Sequence, residues 1–591
     1  MAVVLIQSGR ARVKSGKRHW LWGASLFGCA AVIFSGEVRA QDVGSLLGEQ
    51  WRLQERQRLE SLPKPEEVAP GSAQLPAPEQ GETIIVRQLR FSAKVGLLSE
   101  ADRARFSASV KDKRLGLTGL YALAGKVTAS LQQQGHLLAR AILPPQDITE
   151  GIVTIEIIEG TLEGITFEHG QNVRANEDRL RMIAESHLVA ESVTKQDLEE
   201  ALLRMNDHPG VTARAKLTPG TAANTSLLIV DVEQAPIFSA SFWGDNAGSS
   251  STGRAQGNAL VTITDLTGHG DLTRLTGTFS EGQKFGQAAS SMPLSTSKFT
   301  VNANYNYLQY RNVDDLGTAL DLKGYAHSAG IGLDYGLING RDFNLLVTGG
   351  LNWKALVDES LIGRLQDKRV IATQVGMNGD MRDHAFGSGL TSWSLGWTYG
   401  DLDLSREPTA LAADQTGLQT QGQFHRLNAS LARLQDLPRD FSLFGRVYGQ
   451  WASKNLDSSE DFSLGGPYGV RGWPVGEGRG DMGLLGTIEL RYEAPIPEPF
   501  GALQLAAFLD GGHVWVNKSP DGIATTNACA CNDYDLASAG LSARWTRENL
   551  SFSATWAHGL GDNPGRSSIT GENAGGGTSN QQFWFSGAIK F

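Results

Sequence analysis

The chain lacks long hydrophobic runs. Beyond its N-terminus none of its 591 residues falls in a stretch of eighteen consecutive apolar residues, which excludes helical membrane spans. It lacks a net positive charge: the formal net charge is −10, which argues against nucleic acid as a partner. It lacks a nucleotide-site motif, so no ATP-driven step is expected. It has only three cysteines. Cys29 falls in an N-terminal leader, leaving Cys529 and Cys531 in "TTNACACND". Two half-cystines one residue apart could close a small disulfide in an oxidising compartment. Metal binding is the alternative, and His513 is the nearby histidine.

What the chain has is glycine, 70 residues of it, with aromatics well represented at 8%. That balance suits a transmembrane β-barrel, where polar lumen residues dilute the lipid-facing ones. After Pro236 the sequence divides into segments of about ten residues with strict alternation. In "FTVNANYNY", Phe299, Val301, Ala303, Tyr305 and Tyr307 share one face; Thr300, Asn302, Asn304 and Asn306 share the other. "TIELRYEA" sets Ile488, Leu490, Tyr492 and Ala494 against Thr487, Glu489, Arg491 and Glu493. "FWFSGAIKF" ends on Phe591, an aromatic terminus typical of outer-membrane barrels. No second sheet is evident to bury the apolar faces. A closed barrel in lipid satisfies every backbone group and leaves no edge. About sixteen such segments, an even number, are expected between 237 and 591.

The preceding residues organise as follows. Residues 1–40 read as a secretory signal peptide: basic head, apolar stretch to Gly36, and Val38-Arg39-Ala40 at the cleavage site. Residues 41–60 predict a helix with a thin apolar stripe (Leu46, Leu47, Trp51) and charge on its other sides, suited to a wet cavity. Residues 61–82 hold five prolines, Pro63 to Pro78. Such a linker could reach ~60 Å at ~3.1 Å per residue. Residues 83–160 and 161–235 repeat a strand–helix–helix–strand–strand order. "TIIVRQLRF" and "LLARAILP" read as strands, and Gly135 as a helix C-terminal cap.

The most informative stretch is "GGPYGVRGWPVGEGRGDMG", Gly465 to Gly483. It sits in a loop of roughly thirty residues, far longer than a hairpin needs. Val470, Trp473 and Pro474 are stiff or bulky, which predicts order. If the loop folds into the lumen, Arg471 needs an acceptor, since an unpaired guanidinium out of bulk water is costly. In "LQLAAFLDGG", parity turns Gln504, Ala506, Phe508 and Asp510 inward. Asp510 could take a bidentate pair from Arg471, with Glu489 a competing partner. Gly511 and Gly512 leave room for the loop. The other reading leaves Arg471 in solvent. His425 and Ser430 are the one imaginable hydrolase pair.

These motifs carry a family resemblance. The chain resembles the outer-membrane transporters of two-partner secretion, the hemolysin secretion/activation (ShlB/FhaC/HecB) type within the BamA superfamily. "VRGW" (Val470, Arg471, Gly472, Trp473) matches the superfamily's loop motif, and "FLDGG", with Phe508, Asp510 and Gly512, its F-x-D-x-G strand motif. "GHLLARAILPPQ" (Gly135, Arg140, Leu143, Pro144, Gln146) is similar to the G-Y-x-x-x-x-A-x-L-P-x-Q run of a ShlB-type POTRA domain. "MNDHPGVTARAKLTPG" (Asn206, Pro209, Gly210, Pro219, Gly220) is similar to the matching run of a second POTRA domain. His136 stands where an aromatic is usual, and Trp473 where tyrosine or phenylalanine is commoner.

The resemblance implies a membrane β-barrel over 236–591, about sixteen antiparallel strands, preceded by two α+β POTRA domains and an N-terminal plug helix. It implies an inward-folded loop, 454–485, locked to Asp510. It implies no enzyme, cofactor or metal. The implied partners are an unfolded secreted exoprotein, β-helical once folded, the lipid of the bacterial outer membrane, and periplasmic chaperones and barrel-assembly machinery during biogenesis. A barrel-assembly or insertase protein of the same superfamily is the alternative.

Overall fold

The computed structural model describes residues 4–6, 42–60 and 83–591, apart from 172, 189–192, 223–224, 295–297, 524 and 526. The expected signal segment, save residues 4–6, and the proline-rich linker lie outside the described residues. No described helix is long and apolar enough to cross a membrane; strands do the crossing.

Sixteen antiparallel strands close into a barrel. They run from Phe238–Asp245 to Gln581–Lys590. The closing seam pairs Ser241–Asp245 with Ser586–Lys590. Phe591 exchanges two main-chain hydrogen bonds with Ala240, at 2.7 and 3.1 Å, and its ring meets Phe242 edge-on. Strand lengths are uneven: 8 residues at Phe238–Asp245 and 21 at Gly363–Asp383. The period-two pattern explains the wall. Along Phe299–Arg311, Tyr305 is exposed while Asn302 and Asn306 are buried. Along Ala502–Trp515, Leu505 and Leu509 face out while Ala506, Phe508 and Asp510 are buried. Outward apolar side chains are stable here because the surrounding solvent is lipid.

Two α+β units precede the barrel. In the first, helices Glu100–Val110 and Leu117–Gln133 pack on a sheet of Gln88–Ala93, Ile152–Ile158 and Arg140–Ile142. "TIIVRQLRF" is two strands: Thr83–Val86 pairs with Lys113–Gly116, and Gln88–Ala93 pairs with Ile152–Ile157. The strand in "LLARAILP" shrinks to Arg140–Ile142. In the second unit, helices Glu177–Glu185 and Lys195–Asn206 cover Thr161–His169, Thr225–Gln234 and Val211–Pro219. Thr194 and Asp197 form a capping box on the second helix. The backbone of Val4–Ile6 pairs with the outer edge of Val211–Pro219.

The motif runs of these units hold the fold together. Gly135 ends its helix at φ +97°, a conformation that disfavours any side chain. The Gln146 amide clamps Thr154, accepting from its N–H at 2.7 Å and donating to its carbonyl at 2.6 Å. Buried Asn206 does the same for Ala213 at 3.0 and 2.9 Å. Leu143 packs on the first core, and Pro144 accepts from Gln146. Pro209 leads into Gly210, which turns at φ +78° against Thr264 of the barrel. Pro219 ends a strand, and Gly220 leaves room for the Glu163 carboxylate. The Thr221 hydroxyl, then that of Thr225 and the Ala222 amide, hold Glu163 down to about 2. Leu137 and Leu138 lie in the apolar core of the second unit, so one motif joins the two units.

The second unit is stitched to the turns at one end of the barrel. Arg174 donates to the Ala235, Thr264 and Asp265 carbonyls. Arg179 reaches the Pro293 carbonyl, and Asn339 donates to Asp207. His208 and Asp265 meet at 3.1 Å with both side chains fully buried.

Candidate functional site: the lumen loop and helix

The loop between Phe441–Ala452 and Met482–Ala494 folds into the bore. Its local order comes from within. Phe462–Ser463 pairs with Arg479–Gly480, the Val470 amide donates to the Leu464 carbonyl at 2.8 Å, and Val470, Leu464 and Phe462 are fully buried.

Arg471 is 2% exposed. Its Nε and Nη2 donate to the two Asp510 oxygens at 3.0 and 2.9 Å. Its backbone N–H donates to the same carboxylate at 3.0 Å. Its Nη1 donates to Glu489 at 2.7 Å. The guanidinium lies 3.3 Å from the centroid of the Phe508 ring, a stacked cation–π contact. The Trp584 indole donates to the Arg471 carbonyl at 2.8 Å. Asp510 also accepts from the Thr487 and Ser538 hydroxyls, both at 3.1 Å. Glu489 also accepts from Arg491 at 2.7 Å and Arg544 at 2.8 Å. A buried guanidinium thus donates to two carboxylates whose remaining lone pairs accept from other donors, the condition under which a buried ion pair offsets its desolvation cost.

The wall makes room by omission. A Cβ on Gly559 would sit 2.5 Å from the Trp473 ring, and one on Gly540 2.4 Å from Phe508. A Cβ on Gly512 would strike Leu464 at 2.3 Å, whereas one on Gly511 would meet nothing; of that pair, only Gly512 admits the loop. Gly472 lies against the Gly559 backbone, and the Trp473 indole donates to the Ala537 carbonyl at 3.1 Å. Replacing Gly559 with valine is therefore expected to push Trp473 from this seat at about 1–3 kcal/mol. Export would fall while the barrel still migrates as a heat-modifiable species on gels. Unchanged export would show the seat to be dispensable.

Sequence reasoning did not reach Arg491, Arg544 or Trp584 as members of this cluster, although parity along their strands turns each inward. Cys529 and Cys531 are joined by a disulfide in a loop whose Ala528 and Cys529 amides donate to the Arg566 and Pro564 carbonyls. His425 and Ser430 lie on opposite faces of one strand: His425 stacks on Trp397, and buried Ser430 bonds Ser394. They make no catalytic pair. Among the described residues no acidic or histidine cluster is built to hold a metal.

The helix Val43–Glu60 occupies the same bore. Asp42 caps it through the Ser45 amide at 2.7 Å. Val43, Leu46, Leu47 and Trp51 are buried in one apolar cluster with wall residues including Leu308, Leu356, Val370 and Phe424. The Val43 amide donates to Asp358 at 3.0 Å. The charged sides find the loop. Glu49 pairs with Arg479, Arg52 reaches the Asp461 carbonyl, and Arg56 donates to the Ser463 carbonyl at 2.6 Å. The loop in turn grips the wall through Lys354–Glu460 and Lys368–Asp457, each 2.9 Å and buried. Helix, loop and wall interlock.

This architecture has known counterparts. The family model described as haemolysin secretion/activation protein ShlB/FhaC/HecB matches residues 224–543, more than half the chain. A ShlB-type POTRA domain matches residues 84–160. The heme/hemopexin transporter protein HuxB of Haemophilus influenzae (strain 86-028NP) is 30% identical over 389 residues, 65% of this chain and 68% of that protein. The outer membrane transporter CdiB of Dickeya dadantii is 24% identical over 531 residues, 87% and 91% of the two chains. Among solved structures, CdiB from Escherichia coli superposes with TM-score 0.63 at 21% identity over 94% of this chain and all of that one. BamA from Haemophilus ducreyi, lacking POTRA domains 1–3, superposes at 0.53 with 15% identity, over 81% of this chain and 95% of that one, a likeness of fold alone. The chain belongs to the haemolysin secretion/activation (ShlB/FhaC/HecB) family: it is a two-partner secretion transporter of the bacterial outer membrane, a sixteen-stranded barrel with its POTRA domains in the periplasm.

Proposed function

We propose that this transporter holds its pore shut with the helix Val43–Glu60 and holds its lumen loop in working position with Arg471, Asp510 and Glu489. The exported partner is an unfolded exoprotein that becomes β-helical outside. It docks first on the POTRA domains. Within the second unit Val211–Pro219 is an edge strand, paired on one side to Thr225–Gln234, which supports docking by strand addition. Main-chain pairing suits an unfolded chain because it asks little of side chains. The docked client then displaces the helix and threads a polar bore. Folding outside makes passage irreversible without ATP. No reaction chemistry is assigned to the chain.

The observation that carries this reading is the helix seated in the bore by an apolar stripe on one side and, on the other, by the Glu49–Arg479 pair and arginine hydrogen bonds to the loop. Deleting residues 83–235 while keeping the helix and barrel tests the docking step. The expected result is a correctly assembled barrel with the exoprotein retained in the periplasm. Continued export would reject POTRA docking.

A further inference from the structure

Three neighbouring strands carry an outward patch that the transport function leaves unused. They are Gln283–Leu294, Phe299–Arg311 and Lys323–Asn339. Rising toward the extracellular rim, the outward face of the middle strand changes in order: Phe299, Val301 and Ala303, then Tyr305 and Tyr307, then Gln309, then Arg311. The third strand passes from Leu333 and Ile331 through His327 and Tyr325 to Lys323. The first ends on Lys284. Apolar side chains thus give way to an aromatic belt and then to cations, in the order a bilayer presents hydrocarbon, interface and headgroup.

The register brings these groups together. Lys284 stands opposite Gln309, and Arg311 opposite Lys323. Tyr307 stands opposite His327 on one side and Gly286 on the other. Tyr305 Oη lies 2.7 Å from His327 Nδ1, and the His327 ring packs on Tyr305, Tyr307 and Tyr325, which fixes the belt. Below Lys284, Gly286 has open space where a side chain would stand, and Ala288, small and exposed, is the next outward residue and stands opposite Tyr305, so the two form a shallow recess beside the tyrosines. Asp321 pairs with Lys323 at 2.5 Å, and Glu359 stands opposite it, so Lys323 is committed to carboxylates. Lys284 and Arg311 are exposed, and among the described residues neither forms an ion pair.

We propose that this patch binds a phosphorylated lipid of the outer leaflet, with Lys284 and Arg311 on the headgroup phosphate and an acyl chain in the recess at Gly286 and Ala288 beside Tyr305 and Tyr307. A guanidinium forks onto phosphate oxygens, and a lysine adds a point charge. The partner is a lipid because the patch faces the bilayer and not the lumen.

Full-length transporter in detergent, titrated with a bis-phosphorylated, multiply acylated glycolipid under native mass spectrometry, tests this. Wild-type protein is expected to retain the glycolipid. Lys284→Gln with Arg311→Gln should weaken binding about tenfold or more. The dephosphorylated glycolipid should bind wild-type protein no better than it binds the double variant. Gly286→Leu, which fills the open space beside Tyr307, should weaken both lipids, while Arg566→Gln, exposed in the loop between Leu550–Leu560 and Gln581–Lys590, should change neither. Heat-modifiable migration confirms a folded barrel in every variant. Equal binding by wild type and double variant, equal binding of both glycolipids to wild type, full competition by inorganic phosphate, or no retention by wild type would each overturn the proposal.

Discussion

Replacing Arg471 with alanine is expected to abolish export and to destabilise the folded loop by about 3–5 kcal/mol, the cost of breaking a buried ion pair from one side. The substitution would leave Asp510 and Glu489, 4% and 1% exposed, without the cation that faces both. Asp510 would keep the Thr487 and Ser538 hydroxyls, and Glu489 would keep Arg491 and Arg544. The barrel wall should therefore survive while the loop detaches. Protease nicking between residues 453 and 481 in intact barrels reads this detachment. Arg471→Lys should fall between, since an ammonium cannot span both carboxylates with a planar fork. Exchanging the charges, Arg471→Asp with Asp510→Arg, should not restore export: an aspartate at 471 would face Glu489, now 2.7 Å from the arginine. Export at the wild-type level by Arg471→Ala would end the assignment of this cluster to loop holding.

Deleting residues 43–60 is expected to raise single-channel conductance severalfold and to sensitise cells to bulky antibiotics. The helix buries Val43, Leu46, Leu47 and Trp51. At roughly 1.5–3 kcal/mol of gross transfer free energy per large apolar side chain, spontaneous exit is disfavoured, and on the proposed mechanism a docked client supplies the difference. The reverse experiment is a tether. Asp42 and Ser458 touch at 3.0 Å, so cysteines at both positions should cross-link helix to loop. Oxidised protein should block export and reduction should restore it. Low conductance after deletion, or export through a fully cross-linked pore, would show that the helix is not the stopper.

The barrel was the most legible part of the chain because period-two alternation responds directly to a two-faced environment. Phe299–Tyr307 and Leu503–Asp510 reveal inside and outside without any partner strand. The lumen cluster was legible only pairwise. Parity turns Asp510 and Glu489 inward, and Arg471 needs an acceptor, but nothing local says that one guanidinium serves both. That depends on how deep the loop descends, and the glycines at 512, 540 and 559 set the depth from three different strands. Gly511 and Gly512 look alike in sequence and differ only in which side of the wall they face. The repeated order calls for two helices in the first unit, but the one at Glu100–Val110 could not be placed because only Phe106 and Val110 of its eleven residues are buried, too sparse a stripe to give a period. The break at Arg87 was hidden because both halves of "TIIVRQLRF" are good strands that pair with different partners.

The joints outside the membrane decide where motion is available. Leu137 and Leu138 of the first POTRA domain sit in the core of the second, and Arg174, Arg179 and His208 fasten the second to the barrel. A swivel at either joint would have to pull leucines from a core or part a buried histidine from its aspartate. These joints oppose a swivel of the periplasmic arm relative to the pore mouth. On the proposed mechanism, opening is left to the contents of the bore, and a client is aimed by geometry before the helix moves.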